Sequence, residues 1–212
     1  TPLVQGHFWL AEDFIRSAIV LQETLEVSVP ADRAVKTKFG DLKPAVSEEG
    51  GRLIYRWKTS NLKRQTEEES KAAGDDVPPP AVQFTTFQNF EEVGRWYEGL
   101  QRERVEPTPE IRAQATELIK GAKNDSEKLK AIYSFVALKF RYIGITFGIG
   151  RYQPNAASDV LANQYGDCKD KHTLLASLLK AAGFVAYPAL INSARKTDLD
   201  VPSPAQFNHL IT

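Results

Sequence analysis

The spacing of apolar residues in this 212-residue chain changes near residue 88, and that change constrains the fold more than any other feature. Before it the period is two. Over residues 19–29 the odd positions Ile19, Leu21, Leu25, Val27 and Val29 are apolar and most even ones are polar, as in a strand with one buried face. Pro30 closes that run. Residues 35–39 and 53–57 repeat the signature, separated by the turn-rich SEEGG at 47–51, and 82–87 supply a further strand after the prolines at 78–80. The polar stretch 63–76, KRQTEEESKAAGDD, reads as an exposed, solvated linker.

After residue 88 the spacing becomes helical. Phe90, Val93, Trp96, Tyr97 and Leu100 recur at three and four. Thr108-Pro109-Glu110 is a helix start with proline at the first position, followed by the stripe Ile111, Ala115, Leu118 and Ile119. Asn124-Asp125-Ser126 starts another, with the stripe Leu129, Ile132, Tyr133, Val136 and Phe140. Residues 144–158 form a Gly-, Pro- and Asn-rich loop. A helix runs from Asp167 to a stop at Gly183, then come strands at 185–191 and 207–212 joined by the loop 192–206. The expected fold class is α+β: an antiparallel β-sandwich, at least in part, over 1–88, then helices packed on a small antiparallel sheet over 89–212.

Composition excludes several function classes. Lys plus Arg and Asp plus Glu number 27 each, so no basic surface recommends nucleic acid or an anionic membrane. No apolar run approaches the ~18 residues that span a bilayer. The opening TPLVQGHFWLAED lacks the basic start and apolar core of a signal peptide, and the chain has no methionine, so it reads as a piece of something longer. Three scattered histidines, without HExxH or CxxC, supply no metal-ligand set, and no cofactor is called for. GIG at 148–150 lacks the strand–GxGxxG–helix setting of a nucleotide site.

The single cysteine, Cys168, lies in YGDCKDKH at a helix mouth. A free thiol has a pKa of about 8.5; a helix N-terminus and a nearby imidazolium both stabilise its thiolate. Cys168 has the first, on the face shared with Leu175 and Leu179. Asp167 and Asp170 oppose it electrostatically, although Asp167 doubles as the N-cap. A base must come from elsewhere. His172 is one turn along the same helix, poorly oriented to serve, whereas His209 stands on a strand that can pack against the helix start. His7, beside Phe8 and Trp9, reads as structural. On residue chemistry alone Cys168 is either a small buried hydrophobe or a nucleophile.

The string GDCKDKHTLLASLLKAAGFVAYPALI, followed by FNHLI, resembles the core of the transglutaminase-like superfamily, which is related to papain-type cysteine proteases. RYQPNAASDVLANQYGDC is similar to the run that precedes it, and NFEEVGRWYEGL with the helices at 109–140 to the leading helices of bacterial multidomain members. The resemblance covers 88–212 well and 1–87 loosely. It implies a papain-like core, with Cys168 as nucleophile, His209 as general base, and an orienting Asp or Asn on a strand beyond Thr212; Asp198 and Asp200, in the connecting loop, do not match that position. The Cys168 backbone N–H would be one oxyanion donor and Gln153, Tyr152 or Tyr165 the second. The implied reaction is attack on an amide carbonyl through a thioester, with water or an amine as acceptor and water favoured. The implied partner is a protein or peptide substrate, and the implied setting the periplasm or cell envelope. The competing expectation is a non-catalytic peptide- or envelope-binding module on a degenerate version of the same fold.

Overall fold

Gly50 and Gly51 both adopt positive φ (59° and 74°), the conformation a two-residue hairpin turn demands and glycine supplies without steric cost. They join β4 (Ala45–Glu49) to β5 (Arg52–Asn61), so the turn expected over 47–51 is confined to two residues and Ser47 to Glu49 are strand. The computed structural model describes residue 4 and residues 6–66, 78–144 and 147–212. Most of the linker expected over 63–76, and two positions of the 144–158 loop, lie outside the described residues.

Two compact units divide the chain. The first takes in Thr1–Val93 together with Asn192–Gln206. It holds two three-stranded antiparallel sheets. In one, β6 (Val82–Thr85) lies between β1 (Trp9–Glu12) and β3 (Lys36–Phe39); in the other, β5 lies between β2 (Val20–Pro30) and β4. Val27, Val29 and Trp57 from one sheet and Val82 and Phe84 from the other form a single core. Phe39 and Phe84 meet Trp57 at ring-centroid separations of 5.2 and 6.1 Å, both edge-on, as aromatic quadrupoles prefer. The Trp57 indole N–H donates to the Leu42 carbonyl (3.0 Å), so its one polar atom is satisfied inside.

One strand departs from the simple alternation. The β2–β5 register shifts between Val20 and Glu23, and beyond it Leu25, Val27 and Val29 turn inward as the pattern requires. Ile19, before the shift, and Leu21, within it, are 65% and 80% exposed. An irregularity of one residue flips every side chain on one side of it, which is why the two apolar residues face outward.

The second unit comprises Gly94–Ile191 and Phe207–Thr212. Helix α1 (Phe90–Gln101) straddles the division; α2 (Pro109–Ile119), α3 (Asp125–Lys139), α4 (Ala157–Asn163) and α5 (Cys168–Ala181) lie in the second unit. Thr108 and Asn124 cap α2 and α3 by accepting from the Ile111 and Glu127 N–H groups (3.4 and 2.9 Å), as their sequences predict. The core is built from Ile111 and Ala115, Ile132 and Val136, Phe140, Val160, and Leu174 and Leu178. Leu129 and Tyr133, expected in the α3 stripe, are instead exposed. Helix α5 is buried nearly all round, so it is the element the others pack against.

The expected strand at 185–191 is reduced to β9 (Ala189–Ile191). Gly183 ends α5 in the left-handed region (φ 86°), and the Phe184 N–H returns to the Leu179 carbonyl. Pro188 has no N–H for a ladder, so pairing begins only after it. β9 pairs antiparallel with β10 (His209–Ile211), with His209 opposite Ile191. The loop between them, 192–206, belongs to the first unit. No helix among the described residues is long and apolar enough to cross a membrane.

Candidate active site

The segment GDCKDK builds the start of α5, and each residue has a physical task. Asp167 is the N-cap: its side chain accepts from the Lys169 and Asp170 N–H groups at 3.1 and 3.2 Å. Asp170, at the third helical position, reaches back to accept from the Asp167 N–H (3.2 Å), completing a reciprocal capping box. Its carboxylate also receives the Asn155 backbone N–H (2.8 Å) and side-chain amide (3.2 Å), so the loop before α4 is pinned to the same helix start. Gly166 must lack a side chain, because a Cβ there would stand 2.5 Å from the Asp170 Cβ. Lys169 is buried in an ion pair with Asp167. Lys171 donates to the Ala137 and Phe140 carbonyls (3.3 and 3.2 Å), fastening α5 to the C-terminal end of α3.

Cys168 is thus the first residue of an Asp-capped helix, half-buried and free of any disulfide. A backbone N–H at that position has no partner within the helix, and the dipole there favours negative charge. A second short pairing brings Tyr142 in. β7 (Arg141–Tyr142) runs parallel to β8 (Tyr165–Gly166), with Tyr142 opposite Gly166, two residues before the cysteine.

Cys168, Tyr142, Lys171, His172 and His209 line one cavity of about 260 Å³. Burial first, then the negative charge of Cys168 and hydrogen bonding to its side chain, raise the Tyr142 hydroxyl above the usual tyrosine value; the Cys168 backbone partly offsets this. Tyr97 is held protonated still more firmly, by burial and behind it the charges of Cys168, Asp167 and Asp170. Its hydroxyl is buried without a hydrogen-bond partner among the described residues.

The two histidines of the cavity differ. His209, on β10, is half-buried. His172 is buried, its Nδ1 lies 2.9 Å from the Thr212 hydroxyl, and its Nε2 is enclosed without a partner among the described residues. Desolvation alone depresses its pKa to about 4, so the ring is neutral at ordinary pH.

The other residues singled out in the sequence lie elsewhere. Gln153 follows a 3₁₀ turn, Tyr152 packs edge-on against Trp96 (5.2 Å), and Tyr165 is exposed on β8; none of the three lines this cavity. Asp198 and Asp200 belong to the first unit, where both pair with Lys38 at 2.6 and 3.0 Å. His7 stacks on Phe87 with centroids 4.1 Å apart. Sequence reasoning passed over Tyr142, because a two-residue parallel strand leaves no period to read. It also passed over Asn155, whose partnership with Asp170 spans a helix and two turns. Among the described residues no three His, Cys, Asp or Glu side chains converge as a metal-ligand set.

Comparison with known proteins bears on the fold. Residues 112–192 match the model of the transglutaminase-like superfamily core, and residues 1–66 match a domain of unknown function, DUF3857. A "putative protease" from Parabacteroides distasonis ATCC 8503 superposes with a TM-score of 0.74 at 18% identity, over 97% of this chain and 40% of its own. A "putative cysteine protease" from Cytophaga hutchinsonii is similar at 16% identity over 84% of this chain and 58% of its own, but its TM-score of 0.34 carries no argument. The chain therefore spans less than two thirds of the length of either. No protein with a curated description matches the sequence. Residues 112–192, which open at the start of α2 and contain the whole Asp-capped cysteine helix, are a transglutaminase-like superfamily core, carried on one chain with a DUF3857 domain.

Proposed function

We propose that the chain carries the nucleophile and general base of an enzyme that cleaves amide bonds in a protein or peptide through a Cys168 thioester. The observation that carries this reading is the shared cavity of Cys168, at the first turn of an Asp-capped helix, and His209. His209 takes the thiol proton as Sγ attacks the carbonyl carbon, and later gives that proton to the departing amine. The oxyanion formed between those steps lies against the Cys168 backbone N–H, with the Tyr142 hydroxyl supplying the second donor in place of Gln153 or Tyr165. Water, activated by the same imidazole, then opens the thioester and releases the acid. Water rather than an amine is favoured as acceptor by the protease description of the Parabacteroides protein. His172 does not serve as the base: its Nε2 is enclosed and its Nδ1 is engaged with Thr212.

The test is thiol reactivity. Iodoacetamide should alkylate Cys168 faster at pH 6 than it alkylates a cysteine in an unstructured peptide, and His209→Ala should remove the excess while His172→Gln leaves it. Equal rates for protein and peptide across pH 5–8 would dismiss the thiolate–imidazolium pair.

A further inference from the structure

The first unit contains a cavity of about 340 Å³ that the thiol chemistry does not use. A water occupies about 30 Å³ of liquid, so the space holds considerably more than an inorganic anion. One wall is the prolines at 78–80, apolar and conformationally fixed. Its floor includes Gln83, in the middle of the central strand β6 between Ala11 and Lys38. Gln83 is only 4% exposed, yet among the described residues its side-chain amide makes no hydrogen bond. Its amide is not sealed inside the protein, and the cavity is a surface that the residue lines.

The rim is the segment 195–198. Arg195 is half-buried and Lys196 exposed, and among the described residues neither side chain has an ion-pair or hydrogen-bond partner. The opposing charge is Asp198, which is fully engaged: Oδ2 with Lys38 at 2.6 Å and Oδ1 with the Asp200 N–H at 3.0 Å. Asp200 shares the same lysine. The segment is also rigid before any ligand arrives. Gln206 accepts from the Asp198 N–H (2.6 Å) and donates to the Asp198 carbonyl (2.7 Å), while Asn192 accepts from the Arg195 N–H (3.1 Å) and donates to the Gln206 carbonyl (2.7 Å). The site is therefore preorganised, and little ordering opposes binding.

We propose that this cavity binds the C-terminal end of a peptide, with Arg195 and Lys196 on the terminal carboxylate, Gln83 on the last backbone amide, and the prolines against the last side chain. A guanidinium matches a carboxylate in planar geometry, and a glutamine amide both donates to and accepts from a peptide group. The site involves neither Cys168 nor His209 and stands independently of their chemistry.

Calorimetric titration of the 212-residue chain bearing Cys168→Ser, which removes turnover, tests it with acetyl-Ala-Ala, its C-terminal amide and inorganic phosphate as probes. The free acid should bind saturably and the amide about tenfold more weakly or worse, since one charge-assisted contact is lost. Arg195→Ala and Lys196→Ala, both at the rim where folding is insensitive, should each weaken the acid and leave the amide unchanged; Gln83→Leu should weaken both, with folding checked by circular dichroism. Equal binding of acid and amide, phosphate binding as tight as the acid, no saturable binding, or an Arg195→Ala variant that binds as the parent does would each overturn the proposal.

Discussion

Two imidazoles face the same cavity, and their surroundings make them different reagents. His172 has its ring enclosed, with one nitrogen on the Thr212 hydroxyl and the other without a partner among the described residues, so charging it means placing a poorly compensated cation indoors. Its folded-state pKa of about 4 lies below the unfolded value of 6.5. As pH falls through 6.5 the unfolded chain takes up a proton that the folded chain refuses, so stability present above pH 6.5 is lost progressively down to pH 4. The difference corresponds to a loss of about 3 kcal/mol by pH 4. Urea midpoints measured at pH 7.5 and pH 4.5 should therefore diverge strongly for the parent chain and much less for His172→Gln. An equal pH dependence in both would show that the ring is not the group refusing the proton.

At the scale of elements, the start of α5 depends on a single missing side chain. In Gly166→Ala the new Cβ would press on Asp170, which closes the capping box and holds Asn155. Overpacking of this kind, together with a displaced cap, should cost about 3 kcal/mol in urea unfolding and slow the alkylation of Cys168. A loss under about 0.5 kcal/mol would mean that the helix start accommodates the methyl group. Elements with a local cause were legible in the sequence: the Thr108 and Asn124 caps, the Gly183 stop and the strand within 207–212. Those with a distant cause were not. β1 is four residues long and exists because β6 lies beside it, and β7 is two residues long and exists because β8 does. The bulge that turns Ile19 and Leu21 outward is a property of the β2–β5 pair rather than of β2 alone. For the candidate site, Cys168 and His209 stand at element boundaries that the sequence marks; Tyr142 has no such signal, because its place comes from a partner 24 positions away.

Across the whole molecule, the chain does not divide at one point. It leaves the second unit after Ile191, contributes Asn192–Gln206 to the first, and returns at Phe207, two residues before His209. Lys38 holds both Asp198 and Asp200 in that excursion. A shortened chain of residues 94–212 would therefore retain the cysteine helix but leave the 192–206 segment without its lysine. Limited proteolysis should cut 94–212 first within 192–206 and leave that segment intact in the 212-residue chain. Equal resistance in both would show that the segment's internal bonds through Asn192 and Gln206 suffice.

The same excursion sets an order of events during synthesis. A ribosome delivers the first unit's sheets, then the cysteine helix, then the excursion, and only afterwards the imidazole. The helix can cap itself from residues within four positions, whereas the contact of 192–206 with Lys38 reaches across more than 150 intervening residues. Contacts of that span form slowly. A nascent chain therefore exposes the Cys168 thiol before the His209 imidazole has been made, with the whole 192–206 excursion lying between the two.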